Sequence, residues 1–355
     1  MSSQRPASVR ERFAAGFVRP TVLAALAVLP PLACAACGSG LRVVEVQSSV
    51  EKPANVMVLY TVVAVDGAVS SLGAGDFALY EDDRPVPAAD FRIVKPDLTG
   101  ASYAAVLIDW SAGVAGTPEG AALIDSTSSF VARLAFGPRV GVFAYEGSAT
   151  LHPVIPFGSS DAALTKGFEP WRALRPTDTS TDLFGAVGSG LAQLERAMAT
   201  STQPLRLGTL VVVARGPDRA ARITREELSA SLRKPEHAAI ARAVIGLGPN
   251  ARGAGLESIA TSSVDWAGST SDLDAALGRV TAQIERRAKG HYFVSYCSPA
   301  RSGEHKLKIE ARRKVTGDDG KEHEERGSVL HSFRADGFTG GCTPKVPADV
   351  EAMTK

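Results

Sequence analysis

Between residues 103 and 288 the chain alternates two kinds of segment, and that alternation restricts its fold more than any other feature. Nearly unbroken apolar β runs stand at Tyr103–Ile108, Val140–Tyr145, Thr209–Val213 and Ala243–Leu247. Helical windows follow them at 118–135, 182–199, 224–234 and 271–288. The last begins on Ser271-Asp272 and sets apolar residues at 273, 276, 277, 280 and 284, one face of a helix. A strand that is apolar throughout must be covered on both faces, and helices alternating with such strands supply the cover. The expectation for residues 100–288 is a doubly wound α/β domain.

The flanks read differently. Residues 41–99 carry strand signals without a helical period, including Leu41–Gln47 and the β-rich run Val56–Val65. After Gly290 come His291–Tyr296, the cleanly alternating His305–Arg312 and then Ser328–Phe333, with a polar loop over 316–326. Three strands alone bury little. Residues 289–343 are therefore expected to pack with 41–99 as a small β-sandwich in which the α/β domain is inserted, or by which it is flanked. Residues 344–355 read as a frayed tail.

Composition sets outer bounds. With 355 residues, 45% of them hydrophobic and 22% charged, the chain supports a core and is not disordered throughout. A formal net charge of +1 argues against a nucleic-acid binder that neutralises phosphates. Outside the N-terminus there is no uncharged apolar run long enough to span a bilayer.

The first 36 residues look like an address. Arg5, Arg10, Arg12 and Arg19 precede the apolar stretch Thr21–Ala33, which has the length of a signal-peptide core. Cys34-Ala-Ala-Cys37-Gly-Ser-Gly40 follows. Small residues before a Cys and a flexible spacer after it resemble the lipobox of bacterial lipoproteins. That resemblance implies a signal peptide over 1–36, an anchor and spacer over 37–40, and acylation at Cys37, with Cys34 as the alternative. It also implies a place in the bacterial cell envelope, on the periplasmic face or the outer membrane. Cys297 and Cys342 would then be the only cysteines left, in a compartment that permits disulfides. Cys297 ends one β run and Cys342 follows the last, so a Cys297–Cys342 bridge is expected.

The first apolar strand ends in Asp109-Trp-Ser-Ala-Gly113. Thr181-Asp-Leu-Phe-Gly-Ala186 opens the second helical window, and Leu210-Val-Val-Val-Ala-Arg-Gly216 closes the third strand. In that order the segments resemble a von Willebrand factor type A domain, a Rossmann-like fold. Its metal-ion-dependent adhesion site uses Asp-x-Ser-x-Ser on the first loop, a Thr on the second and an Asp on a later one. The resemblance covers about 185 residues. Asp109, Ser111 and Thr181 match; Gly113 stands where the second Ser belongs, and Arg215 where the acid belongs. It implies either a Mg²⁺ site at Asp109, Ser111 and Thr181, or a degenerate, metal-free site in which those groups hydrogen-bond one another. The second is preferred, because a guanidinium does not deprotonate. In it Arg215 is expected to pair with Asp109, the alternative being that it swings out and Asp218 supplies the acid.

Common enzyme motifs are missing: there is no Gly-x-Ser-x-Gly, His-Glu-x-x-His or phosphate-binding Gly-x-x-x-x-Gly-Lys-Ser/Thr. His305, His323 and His331 fall on or between strands that read as exposed. Trp110 and Trp266 sit near the loop face, as partner anchors or as packing. The functional expectation is a non-catalytic envelope lipoprotein that binds a protein partner through the loops bearing Asp109, Ser111, Thr181 and Arg215. The alternatives are a Mg²⁺-dependent adhesion or assembly protein and an accessory subunit of an envelope enzyme complex.

Overall fold

A computed structural model describes residues 40–354, apart from 66, 112, 135, 136, 161, 162, 164, 165, 202–204, 318 and 319. The leader and the acylation expectation at Cys37, with its alternative Cys34, lie outside the described residues. The chain opens with β1 (Arg42–Glu51), β2 (Asn55–Ala64), β3 (Gly67–Ala68), β4 (Phe77–Glu81), β5 (Arg84–Pro85) and β6 (Phe91–Val94). Next come β7 (Ser102–Asp109), α1 (Pro118–Leu134), β8 (Arg139–Tyr145), β9 (His152–Ile155), α2 (Phe168–Ala173) and α3 (Leu183–Ala199). The parallel region ends with β10 (Leu207–Ala214), α4 (Arg225–Leu232), α5 (Pro235–Ala238), β11 (Ala241–Leu247), β12 (Asp265–Ala267) and α6 (Thr270–Lys289). Then follow β13 (His291–Cys297), β14 (Glu304–Thr316), β15 (Glu322–Arg334) and α7 (Ala348–Ala352).

The six-stranded sheet has the order β12-β11-β10-β7-β8-β9, and every neighbouring pair is parallel except β8 with β9. Counted along the chain, this is the doubly wound order 3-2-1-4-5-6, whose winding reverses between β7 and β10. Alternate residues of each central strand enter opposite layers. Ala104, Val106 and Ile108 of β7 pack under Leu123, Phe130, Leu277 and Val280 of α1 and α6. Tyr103, Ala105 and Leu107 pack under Val187, Leu191 and Leu194 of α3 and Leu228 of α4. The helices start where side chains can cap them. Asp182 accepts from the Gly185 N–H, and Thr224 and Glu227 form a reciprocal box at α4.

The flanking segments form two antiparallel sheets. One has the order β1-β2-β13-β6, with β3 beside β2; the other is β15-β14-β4-β5. β13 lies between β2 and β6, so this sheet takes strands from both sides of the parallel domain. Val56, Val58, Tyr60, Phe77, Leu79, Tyr292, Leu307 and Ile309 fill the space between the sheets. Cys297 and Cys342 form a disulfide, with Cα atoms 5.7 Å apart, as expected from the sequence.

Three expectations are corrected. The polar stretch 316–326 is mostly strand. β14 and β15 stay paired from Glu304↔Arg334 to Thr316↔Glu322, because Arg313 meets Glu325 at 2.7 Å and Lys314 meets Glu322 at 3.5 Å. Residues beyond 344 are not a frayed tail. Val346 and Val350 are buried against Met57, Leu59, Leu205 and Phe293, and the Asp97 N–H donates to the Met353 carbonyl. His331 is buried rather than solvated, with Nδ1 3.1 Å from Glu45 Oε2.

Candidate functional site

The site lies at the carboxyl ends of β7 and β10, where the winding reverses and a crevice between loops is expected. Asp109 ends β7 and is fully buried. Its Oδ1 accepts from the Ser111 N–H at 3.0 Å, and its Oδ2 accepts from the Arg215 N–H at 3.1 Å. One carboxylate therefore joins the loop after β7 to the loop after β10. Gly113 has φ +86°, the left-handed region in which a side chain is strained. The backbone thus explains why no hydroxyl-bearing residue stands there.

Thr181 meets the same region through its backbone. Its carbonyl accepts from the Arg219 N–H at 2.8 Å and the Ala220 N–H at 3.0 Å, so the loop before α3 is tied to the loop after β10. The structure brings Asp109, Ser111 and Arg215 into direct contact, while Thr181 is held to the same loop four residues further on.

Arg215 differs from expectation in how it reaches Asp109. The contact is made by its backbone N–H, not its guanidinium. The guanidinium leans to the start of α1, where Nη2 lies 3.1 Å and Nε 3.2 Å from Glu119 Oε1. A short backbone donor already satisfies the carboxylate, and the long side chain takes a partner at the rim. Asp218 does not supply the missing acid either. Its Oδ2 accepts from the Phe184 N–H and its Oδ1 from the Ala221 N–H, both at 2.8 Å.

Several groups that the sequence reading passed over complete the face. Glu146, just past β8, is buried. It accepts from Thr177 Oγ1 at 2.5 Å and the Asp178 N–H at 3.1 Å, and its Oε1 lies 3.2 Å from His152 Nε2. Burial pushes its carboxyl up, but these hydrogen bonds outweigh burial and hold it below the ordinary value. Asp182 moves the other way: burial raises it, and the nearby Asp218 carboxylate adds to the rise. Arg222 spans the two loops, donating to the Gly147 carbonyl at 2.7 Å and reaching Asp178 at 3.5 Å and Asp182 at 3.8 Å. The signal for Asp182 was present in its place as the first residue of a helical window. Glu146 could be found only as a polar residue at the carboxyl end of a parallel strand.

Trp110 is packing. It is buried, its Nε1 donates to the Leu174 carbonyl at 3.2 Å, and its ring centroid lies 4.9 Å from that of Trp171. Trp266 is half-buried under the Arg252 guanidinium, 5.0 Å from the ring centroid. Among the described residues, one group of three metal-ligating side chains comes together, Glu81, Asp82 and His305, and it belongs to the sandwich. Its atoms already serve one another. His305 Nδ1 is 2.7 Å from Asp82 Oδ2, and Glu81 accepts from Tyr296 and Ser298.

No protein-family model matches the chain, and no curated protein matches its sequence. Solved structures do show likenesses. The von Willebrand factor type A protein of Catenulispora acidiphila is 10% identical, over 88% of this chain and 77% of that one, with a TM-score of 0.42. Manganese-loaded TRAP protein of Plasmodium vivax is 12% identical, over 74% and 99%, with a TM-score of 0.42. Proximal thread matrix protein 1 of the mussel byssus, with a zinc-occupied MIDAS motif, is 17% identical over 59% of this chain, with a TM-score of 0.42. The chain spans about half the length of that mussel protein, 49%.

Proposed function

We propose that this chain binds a protein partner through the loops after β7 and β10 and before α3, that it does so without a metal ion, and that it catalyses no reaction. One observation carries the reading. Both oxygens of the buried Asp109 carboxylate are taken by backbone N–H groups of two loops. A divalent cation of the Mg²⁺ kind needs several oxygen ligands, and this set does not fit one. Gly113 brings no hydroxyl, Arg215 brings no acid, and the carboxylates of Asp182 and Asp218 cap the amides that open α3. What remains is a preorganised polar face rimmed by Arg215, Glu119, Arg222 and Asp178, suited to charge-assisted contacts with another protein.

In the same reading the chain belongs to the bacterial envelope, held by an acylated Cys37. The support is the Arg-rich leader, the apolar stretch after it and Ala35-Ala36-Cys37. Among the described residues no helix is long and apolar enough to cross a membrane, and acyl chains would supply the attachment. Mass spectrometry of the mature N-terminal peptide should find a lipid on Cys37; a lipid on Cys34, or an unmodified N-terminus downstream, rejects this part.

The metal-free reading is tested by titrating Mg²⁺ and Mn²⁺ into the full chain by calorimetry, alongside Asp109→Ala. Wild type should bind neither ion. Asp109→Ala should lose about 3 kcal/mol of stability in urea melts, because two buried N–H groups lose their acceptor. Millimolar or tighter binding that disappears in Asp109→Ala overturns the proposal. Photocrosslinking from Ser180 and Arg219 should then capture one protein partner in cells, and chelators should not weaken the capture.

A further inference from the structure

A sheet edge presents a row of unpaired N–H and C=O groups, and folded proteins guard such edges with bulges, prolines, charged side chains or very short strands. Among the described residues most sheet edges here are guarded. β1 has a bulge between Glu45 and Gln47, β5 is two residues long and ends in Pro85, and β6 has four residues. In the parallel domain β9 has four residues with Pro153 among them, and β12 has three. β15 differs in being guarded by charge alone, through Glu322, Glu324, Glu325, Arg326 and Arg334. It pairs with β14 over 13 residues with no register shift, it contains no proline, and it ends its sheet.

Two more features lie on the same strand. Its first half, with the matching part of β14, extends past the five-residue pairing of β4 with Leu307–Ala311, so among the described residues no third strand pairs with this part of the ribbon. Its second half borders a cleft of about 510 Å³, walled by Ser48, Ser49 and Val50 of β1 and by His331, Phe333 and Arg334 of β15. The Nε2 of His331 is buried without a hydrogen-bond partner.

We propose that β15 pairs antiparallel with β15 of a second copy of this chain, about a two-fold axis at Ser328. In that register Glu322 stands opposite Arg334, Glu324 opposite Ser332, Glu325 opposite His331 and Arg326 opposite Leu330, while Ser328 faces its own copy. No like charges meet, and the one pair of formally opposite charges, Glu322 with Arg334, occurs twice about the axis. A parallel pairing would set Glu324 and Glu325 against their own copies, which is repulsive, and would not close as a two-fold dimer. Arg334 already holds Asp336 and Glu322 already holds Lys314, both as exposed pairs with room for a further partner. Each ribbon thereby lies along the rim of the other copy's cleft. Leu41, at the start of β1, packs on one face of β15, where a Cβ on Gly327 would come within 2.2 Å of the Leu41 carbonyl oxygen.

The test is register-specific. The full chain is prepared with Ser328→Cys and, as control, with Ala149→Cys, an exposed site on the parallel domain; both are oxidised mildly. Sedimentation should show a dimer for the wild type, and position 328 should crosslink to itself much faster than position 149. Ser332→Cys alone should stay uncrosslinked, yet link to Glu324→Cys when the two variants are mixed. Glu322→Arg should weaken association on the order of tenfold, because the pair occurs twice in the dimer, and Arg334→Glu added to it should restore the dimer. A monomer at micromolar concentrations overturns the proposal. So does equal crosslinking at 328 and 149, or a dimer that the double charge swap fails to restore.

Discussion

A carboxylate that is fully buried, as Asp109 is, must find donors inside the protein, and it finds them in the backbone of two loops. The spacing of Asp109, Ser111 and Thr181 at strand and helix ends was legible in the sequence, because each stands where an apolar run stops. The role of Arg215 was not. Its side chain suggested an ion pair with Asp109, whereas any non-proline residue there offers the N–H that makes the contact. His291, at the start of β13, shows the opposite strategy for a buried titratable group. Burial, with the Arg287 charge nearby, lowers its pKa from 6.5 to about 4. The folded protein keeps the ring neutral while the unfolded chain takes up a proton near 6.5, so stability is lost as pH falls from 6.5 towards 4. At 1.36 kcal/mol for each pH unit between the two values, the loss reaches about 3 kcal/mol. Urea melts of the wild type and of His291→Gln across this range check it. The variant should show a flatter dependence, and parallel curves would refute the assignment.

Among the elements, the four central strands and their helices were legible because both of their faces are apolar and their helices carry one apolar side. β9 and β12 were not, since edge strands of four and three residues bear too few apolar positions to stand out. Only the far end of the β14–β15 ribbon, residues 316–326, was read as loop, and for a physical reason: charge pairs across the strands hold it, and hydrophobic alternation is blind to them. The disulfide acts at this scale. It ties the end of β13 to the segment that leads to α7 and closes a loop of 45 residues. The chain-entropy relation assigns such a loop about 4 kcal/mol. Replacing Cys297 and Cys342 together by Ala should lower stability by up to that amount and leave the melting of β7 and β10 amides, followed by hydrogen exchange, cooperative. No change in the urea midpoint would show that the bridge closes a loop already held by other contacts.

For the whole molecule the consequential feature is that residues 95–290 interrupt one sheet. β6 and β13 are neighbours in that sheet, yet nearly two hundred residues separate them along the chain. Pairing them in an unfolded chain is a rare encounter, because contacts so distant in sequence slow the search. The parallel domain removes the difficulty once formed. Its entrance and exit are held together by the Leu98 N–H on the Ala288 carbonyl, and Arg287 of α6 donates to the Gly208 and Ala239 carbonyls. The order of events on refolding follows: the inserted domain must assemble first and act as a template that delivers β13 to the gap between β2 and β6. Pulse-labelling hydrogen exchange should find Val106 and Val211 protected before Val294, and simultaneous protection would reject that order.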